Sequence, residues 1–272
     1  MNARISVGSR EVTVDLERPI SLAIDLDFSE QQPRHFGAPL ASSRPFAVPG
    51  FSGSVEHGAS CNSNTITLIP HCNGTHTECV GHLTREPLDA HRVTPAEFLP
   101  ALLVSVEAAA AEAASESTEP PPQSGDLLIT RRAIEKSWTT SAPFEPRALV
   151  IRTVPNRPDK RQQDYTDKTP PYLSREAAMM LVERGIEHLV VDLPSIDRSH
   201  DEGRLTAHRI FFGLPRASVA LAQSTRSGST ITELAYIPDT VPDGPYLLAL
   251  QVPAIGGDAV PSRPLLYPLL PA

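Results

Sequence analysis

The stretch SREAAMMLVERGIEHLVVDL (174–193) decides the fold, because it predicts a helix that leads directly into a buried strand. Ser174 is a favoured N-cap residue, apolar side chains follow at helical spacing, and Gly185 marks the helix end. The run EHLVVDL (187–193) is apolar almost throughout, as in a strand that is covered on both faces. We therefore predict a helix over 174–185 and a strand over 187–193.

An earlier apolar run, RALVIRT (147–153), predicts a second buried strand upstream of the helix. Strand, helix and strand in this order form a βαβ unit, in which the two strands are parallel. Asp192 then lies at the carboxyl end of a parallel strand, where such units place ligand contacts. Further strands are predicted for ALLVSVE (101–107), TITELAY (230–236), PYLLALQV (245–252) and RPLLYPL (263–269). The whole pattern predicts a mixed α/β fold.

Domain organisation follows from chain length and local composition. A chain of 272 residues with 40% hydrophobic residues suits one sizeable core, so we predict a single domain over 1–272. The alanine- and acid-rich stretch 108–125 predicts a surface insertion. A short capped helix is predicted for TPAEFL (94–99), from threonine at the N-cap, proline next and glutamate two residues on.

Charge and cysteine content exclude several classes of protein. The net charge of −8 argues against nucleic acid or an anionic membrane as the main partner. No run approaches the roughly 18 apolar residues that span a bilayer, and the first residues lack the apolar core of a secretory signal. The three cysteines, Cys61, Cys72 and Cys79, are an odd number and do not resemble a disulfide framework. These features predict a cytoplasmic protein.

The stretch PHCNGTHTECVGHL (70–83) concentrates histidine, cysteine and glutamate around one glycine. Side chains alternate in an extended segment, so Cys72, His76 and Glu78 share a face and can converge on one ion. By the same parity His71 points the other way. His82 shares the parity but follows turn-prone residues, so it can lie near the ion without binding it. Spacing alone leaves two alternatives, a metal site and a polar loop rich in histidine.

The same stretch resembles the His-x-Gly-Thr-His-x-Asp-x-Pro-x-His signature of the cyclase family, which includes the bacterial kynurenine formamidases. Gly74, Thr75, His76 and His82 match it in register. The resemblance continues through four later segments, 149–153, 181–197, 207–212 and 231–266.

The resemblance implies a single-domain swivelling β/β/α fold and a divalent metal, most often Zn²⁺, with Mn²⁺ as the alternative. The implied ligands are Cys72, His76, Glu78, His208 and Glu233. His82 takes the position of the acid/base residue. The implied supporting residues around the pocket are Gly74, Thr75, Asp192, Ser195 and Asp197.

Three positions depart from the family signature. Cys72 replaces the first histidine, Glu78 replaces the aspartate, and Val80 replaces the proline. A thiolate suits zinc and makes a hard metal less favourable. The departures leave open another substrate, a different metal, or lost activity.

By resemblance the protein is a metal-dependent hydrolase that cleaves the C–N bond of a small amide through metal-activated water, as an arylformamidase does. Two alternatives stay open on the same fold: a cyclase or dehydratase that uses the metal as a Lewis acid, and a non-catalytic binder of metal or small molecules. The implied partners are a small-molecule substrate and further copies of the chain, in a homodimer or homotetramer.

Overall fold

The computed structural model describes residues 1–138 and 142–270. The strands are β1 Asn2–Val7, β2 Arg10–Asp15, β3 Ile20–Ser21, β4 Ser42–Pro45, β5 Ala47–Val48, β6 Phe51–Ser52, β7 Asn64–Thr67, β8 His76–Cys79, β9 Leu99–Glu107, β10 Ala109–Ala110, β11 Leu127–Ile129, β12 Ala148–Val154, β13 Tyr172–Leu173, β14 His188–Val191, β15 Thr230–Glu233, β16 Gly244–Gln251, β17 Ala259–Pro261 and β18 Arg263–Leu270. The helices are α1 Ala90–Val93, α2 Arg131–Ser137, α3 Arg175–Glu183 and α4 Thr206–Phe211. None of these helices has the length and apolar character needed to cross a membrane.

One large mixed sheet organises the molecule, in the order β1-β2-β18-β16-β9-β12-β14-β15-β8-β17. Its centre, β9-β12-β14-β15, is parallel, and the strands on both sides of this centre are antiparallel to it. Strands β12 and β14 pair in parallel with α3 between them in sequence, which confirms the predicted βαβ unit. The mixed α/β class is therefore confirmed.

Helix α3 forms where the sequence predicts it, because both ends carry the expected signals. The hydroxyl of Ser174 accepts a hydrogen bond from the Ala177 N–H and so satisfies one of the free amides of the first turn. Gly185, just beyond the helix, has φ +71°, a conformation that glycine adopts without a steric penalty. Between these ends Met180 and Leu181 are fully buried against the sheet.

Both faces of the parallel strands are covered, which explains their continuous apolar runs. Side chains of α2, α3 and α4 pack on one face against Leu149, Ile151 and Leu189. On the other face, Val150 and Val190 pack against residues of β16 and β18. Burying a leucine or isoleucine completely contributes about 1.5–3 kcal/mol, so this two-sided core supplies much of the stability.

The predicted helix at 94–99 is wrong. The chain forms one helical turn earlier, α1, and Thr94 is its C-cap: its side chain donates to the Ala90 carbonyl instead of capping a following helix. Glu97 pairs with Arg147, and β9 begins at Leu99. Tertiary pairing of the strand thus overrides a local capping pattern.

The stretch 108–125 packs against the α3 side of the molecule. Strand β10 pairs with β11, and the Glu116 carboxylate accepts from the Ser174 hydroxyl and from the first amides of α2. Ser117 donates to Glu176 in the first turn of α3. That the stretch is an insertion, and that 1–272 is one domain, both stay predictions.

Strand β8 lies near one edge of the large sheet, between β15 and β17. Its antiparallel register sets His76 opposite Glu233 and Glu78 opposite Ile231. The preceding strand, β7, belongs to a separate two-stranded sheet with β4. A turn at residues 70–75 therefore separates β7 from β8.

Candidate metal centre

Neighbouring strands β8 and β15 bring three of the predicted ligands together. His76 Nε2 lies 3.5 Å from Glu233 Oε2 across the strand pair. Glu78, two residues beyond His76, points to the same side, as alternation along a strand requires. All three side chains are buried, so their polar groups must be satisfied within the protein or by a ligand.

His208 reaches this group from α4. Its Nε2 lies 2.8 Å from Glu78 Oε1 and 3.5 Å from Glu233 Oε1. Asp197 orients it, because one carboxylate accepts from the Ala207 and His208 amides and from His208 Nδ1–H, at 2.7 Å from this nitrogen. Asp197 thus holds both the start of α4 and the ring that α4 carries.

His71, and not Cys72 as the resemblance implied, has its ring within reach of the other donor groups. His71 Nδ1 lies 3.0 Å from Glu78 Oε2, and His71, His76 and Glu78 form one group of mutually close donor atoms. Among the described residues, no such group includes Cys72. The parity argument is wrong for this position because residues 70–75 form a turn with Gly74 at φ +111°, whereas alternation holds only within β8.

Each of the three histidines has its second ring nitrogen held by an oxygen acceptor. His76 Nδ1–H donates to the Gly74 carbonyl over 3.0 Å, and His208 Nδ1–H donates to Asp197. His71 Nε2–H donates to Asp258 over 2.8 Å. In this arrangement the nitrogens that face the cluster are left to bind an ion, as in metal sites whose histidines are oriented by outer hydrogen bonds.

Two buried atoms of the cluster indicate that these residues can hold a metal ion. His76 Nε2 and Glu78 Oε1 have no hydrogen-bond partner in the described structure. The 2.8 Å contact of Glu78 Oε1 with His208 Nε2 lacks the alignment of a hydrogen bond. Donor atoms that converge on a common point without bonding to each other suit a divalent cation.

The electrostatics of the cluster lead to the same conclusion. Burial lowers the pKa of His208, but Glu78 and Asp197 outweigh it and raise this pKa well above the ordinary value. Burial also lowers the pKa of His71, but hydrogen bonds with Asp258 and Glu78 outweigh burial and raise this pKa to about 10. Burial raises the pKa of Glu78, yet His208 holds it well below its usual range. Without a metal, protonated histidines balance the buried carboxylates, and a bound cation would take over this role.

His82 lies at the outer side of the cluster and is partly exposed. Its ring is tilted over that of His71, with centroids 4.3 Å apart, and its Nδ1 lies 3.3 Å from Asp258 Oδ2. Hydrogen bonding to His71 and then to His82 lowers the pKa of Asp258. The Asp258 carboxylate therefore contacts two histidines, His71 and His82, although the sequence analysis did not select it. Its only sequence signal is its place after the glycine pair in IGGDAV (255–260).

The remaining predicted residues support the backbone near the centre. Thr75 donates to the Leu234 carbonyl and accepts from the Ile24 amide, so it ties the turn before β8 to two other segments. The Ser195 hydroxyl accepts from the Asp197 amide at 3.2 Å, and thereby supports the carboxylate that orients His208. No described contact joins Ser195 to a ligand group directly.

Asp192 is outside the donor groups and forms its own buried ion pair. Its carboxylate accepts from the Thr153 amide and hydroxyl and lies 2.8 Å from Lys160 Nζ. Burial raises the pKa of Asp192, while Lys160 lowers it. The long loop 154–173, which carries Lys160, is therefore anchored at the carboxyl end of β14.

Removing the lysine charge will test this anchor. In Lys160→Met we expect a loss of about 3–5 kcal/mol in the free energy of unfolding, because Asp192 stays buried without its cation. Urea unfolding of the two proteins at neutral pH measures the difference. A double variant, Lys160→Met with Asp192→Leu, should recover much of the loss, and no recovery would contradict the pairing.

The carboxylate behind His208 gives a second prediction. Asp197→Asn removes the charge that orients the ring, so we expect metal affinity to fall by about 10- to 100-fold. Competition with a chromogenic chelator measures the affinity. Asp239→Asn, which alters an acceptor of Asn156 outside the donor groups, is the matched control. Equal affinity in the two variants would remove Asp197 from the centre.

Comparison with known proteins gives the family. The family model described as "Putative cyclase" matches residues 14–198, which is more than half of the chain. The protein therefore belongs to the Cyclase family. His208 and Glu233 lie beyond the matched range, yet the fold brings both to the motif strand. No curated protein matches the sequence.

Solved structures share the fold at low sequence identity. A potential metal-dependent hydrolase with cyclase activity superimposes with a TM-score of 0.59 at 16% identity, over 93% of this chain and 99% of the other. Isatin hydrolase A from Ralstonia solanacearum gives 0.57 at 15% identity, over 92% and 91%. Isatin hydrolase A from Labrenzia aggregata, bound to benzyl benzoate, gives 0.53 at 15%, over 92% and 93%. The fold is thus one that metal-dependent hydrolases use.

Proposed function

We propose that this protein is a metal-dependent hydrolase that cleaves the C–N bond of a small amide, in the manner of an arylformamidase. The observation that carries this proposal is a pair of donor groups that share Glu78: His71 and His76 complete one group, and His208 and Glu233 complete the other. Two of the donor atoms, His76 Nε2 and Glu78 Oε1, are buried without a hydrogen-bond partner in the described structure. Isatin hydrolases of the same fold act on a cyclic amide, so a lactam is as suitable a substrate as an open formamide.

We propose Zn²⁺ as the resident ion, with Mn²⁺ as the alternative. Three imidazole ligands suit zinc. Two carboxylate ligands, and a histidine (His71) as ligand instead of the Cys72 thiolate, make the site suitable for manganese as well. Such an ion would polarise the amide carbonyl and lower the pKa of a water molecule that binds it.

His82 is the residue that would move the proton. Asp258 Oδ2 lies near its Nδ1, and accepting Nδ1–H there leaves the lone pair on Nε2. From its partly exposed position, Nε2 can accept a proton from water and return it to the leaving nitrogen. His71, stacked against it and bonded to the same aspartate, fixes the orientation of the ring.

A substrate panel tests the proposal. Protein loaded with zinc or manganese should hydrolyse members of a series of aryl formamides and lactams, and labelled water should supply oxygen to the product acid. A product without the label would indicate the cyclase or dehydratase alternative. Tight metal binding without turnover on formamides, lactams and lactones would indicate a non-catalytic binder.

We also propose that a second copy of the chain covers an apolar surface around β4–β7. Phe46, Phe51 and Ile66 are exposed there, and residues 45–55 carry no charge, so this surface adds no charge repulsion between two chains. Light scattering should give a dimer or tetramer for the native protein. Phe51→Lys with Ile66→Lys should give monomers, and an unchanged mass would place any interface elsewhere.

We also propose that the protein resides in a reducing compartment, the cytoplasm. All three cysteines are unpaired, and Cys72 and Cys79 are buried. Free thiols of this kind persist where disulfides do not form.

A further inference from the structure

His35 is a buried histidine whose ring has no polar partner. Its side chain is 1% exposed, and both ring nitrogens lack a hydrogen bond in the described structure. Leaving a buried donor or acceptor unsatisfied destabilises the folded protein, and His35 has one of each when neutral. Ordered water or a bound ligand can supply the missing partners.

The backbone holds His35 firmly between two functional segments. Its own N–H donates to the Cys72 carbonyl, within the turn that presents His71. On the other side, Arg34 pairs with Asp164, and the Arg34 carbonyl accepts from the Tyr165 amide. His35 is therefore fixed between the metal-centre turn and the loop 154–173.

The backbone bond to Cys72 places the His35 ring beside the turn that carries His71, and nearby charges act on it. Burial, and then the charges of His200 and His76, lower the pKa of His35 to about 4. His76 is a proposed metal ligand, and its inward nitrogen is also without a partner. The ring of Phe36, with its centroid 3.8 Å away, is apolar and satisfies neither nitrogen. At neutral pH the imidazole is uncharged, with one donor nitrogen and one acceptor nitrogen.

We propose that His35 hydrogen-bonds the substrate and selects amides over esters, an inference that rests on the proposed hydrolase function. An amide or lactam presents N–H beside its carbonyl group, so it can donate to the acceptor nitrogen of His35. The corresponding ester or lactone has an oxygen at that position and cannot donate. A site with a buried acceptor discriminates against the analogue that leaves it unpaired.

The test compares isatin with its oxygen analogue benzofuran-2,3-dione on metal-loaded wild type, His35→Leu and His35→Gln. In His35→Leu we expect the lactam-to-lactone ratio of kcat/KM, corrected for the uncatalysed rates, to fall by about 10- to 100-fold. Glutamine keeps a donor and an acceptor, so His35→Gln should retain most of the ratio. His91→Leu, which changes a histidine outside the donor groups, is the control, and thermal unfolding verifies that each variant is folded.

A second measurement does not depend on turnover. In protein labelled with ¹⁵N-histidine, the ring resonances of His35, identified by their absence in His35→Gln, should shift when the lactam oxindole is added. Benzofuran-2-one should leave the acceptor nitrogen unshifted. An unchanged ratio in His35→Leu, or no response to saturating oxindole, would overturn the assignment of His35. Failure of wild type to hydrolyse any amide, with His35 still responding to oxindole, would overturn the hydrolase function alone.

Discussion

Replacing His71 with alanine will abolish metal binding, whereas replacing Cys72 will leave it intact. We expect about one ion per chain in wild type and in Cys72→Ala, and almost none in His71→Ala. The reason is geometric: His71 Nδ1 lies 3.0 Å from Glu78, and Cys72 belongs to none of the donor groups. Elemental analysis of untagged protein after zinc reconstitution and desalting measures the difference.

Two variants complete this experiment. His76→Ala removes a ligand on β8 that both the sequence and the structure select, so it should lose the metal as completely as His71→Ala does. His91→Ala, outside the donor groups, should keep it. Metal loss in Cys72→Ala with retention in His71→Ala would reverse the assignment and restore the thiolate as a ligand. No metal in reconstituted wild type would refute the centre.

Replacing His82 with alanine will reduce kcat by about 10²- to 10⁴-fold, the range that a positioned acid/base residue contributes. The metal content should stay at the wild-type level, because His82 stands outside the two donor groups that contain Glu78. Stopped assays on the best substrate of the panel measure kcat, and elemental analysis of the same samples measures the metal.

Comparing kcat with metal content in His82→Ala distinguishes a proton-transfer residue from a metal ligand. If His82→Ala loses the metal together with activity, His82 is a ligand, with His71 and Asp258 as its partners in the third donor group. If it hydrolyses as fast as wild type, another group transfers the proton. Asp258→Asn is the matched variant: we expect a smaller loss of kcat, because it weakens the support of His82 and His71 without removing either ring.

The parallel core could be predicted from sequence because its signals are local. Ser174 and Gly185 mark the ends of α3, and the apolar runs of β12 and β14 follow from burial on both faces. The helix expected at 94–99 shows the limit of such signals: Thr94 has the chemistry of a cap but closes α1 instead. Local preference is weak beside the pairing of β9 with its neighbours.

The candidate centre was predicted in part, for a related reason. His76 and Glu78 lie within a strand, so their alternation holds, but His71 lies in a turn whose path no periodicity describes. Asp258 lies just before β17, which pairs with β8 although the two strands are distant in sequence. Such contacts depend on which strands become neighbours, and periodicity and local propensity do not show that.

The position of β8 also bears on when the centre can be assembled during synthesis. Its two neighbours, β15 and β17, both come from the last part of the chain. Folding of a growing chain proceeds from its first residues, so the motif strand has no sheet to join while the ribosome is still at work on the middle of the protein. A metal ion held jointly by β8 and Glu233 would therefore bind only after the segment that carries β15 has been synthesised.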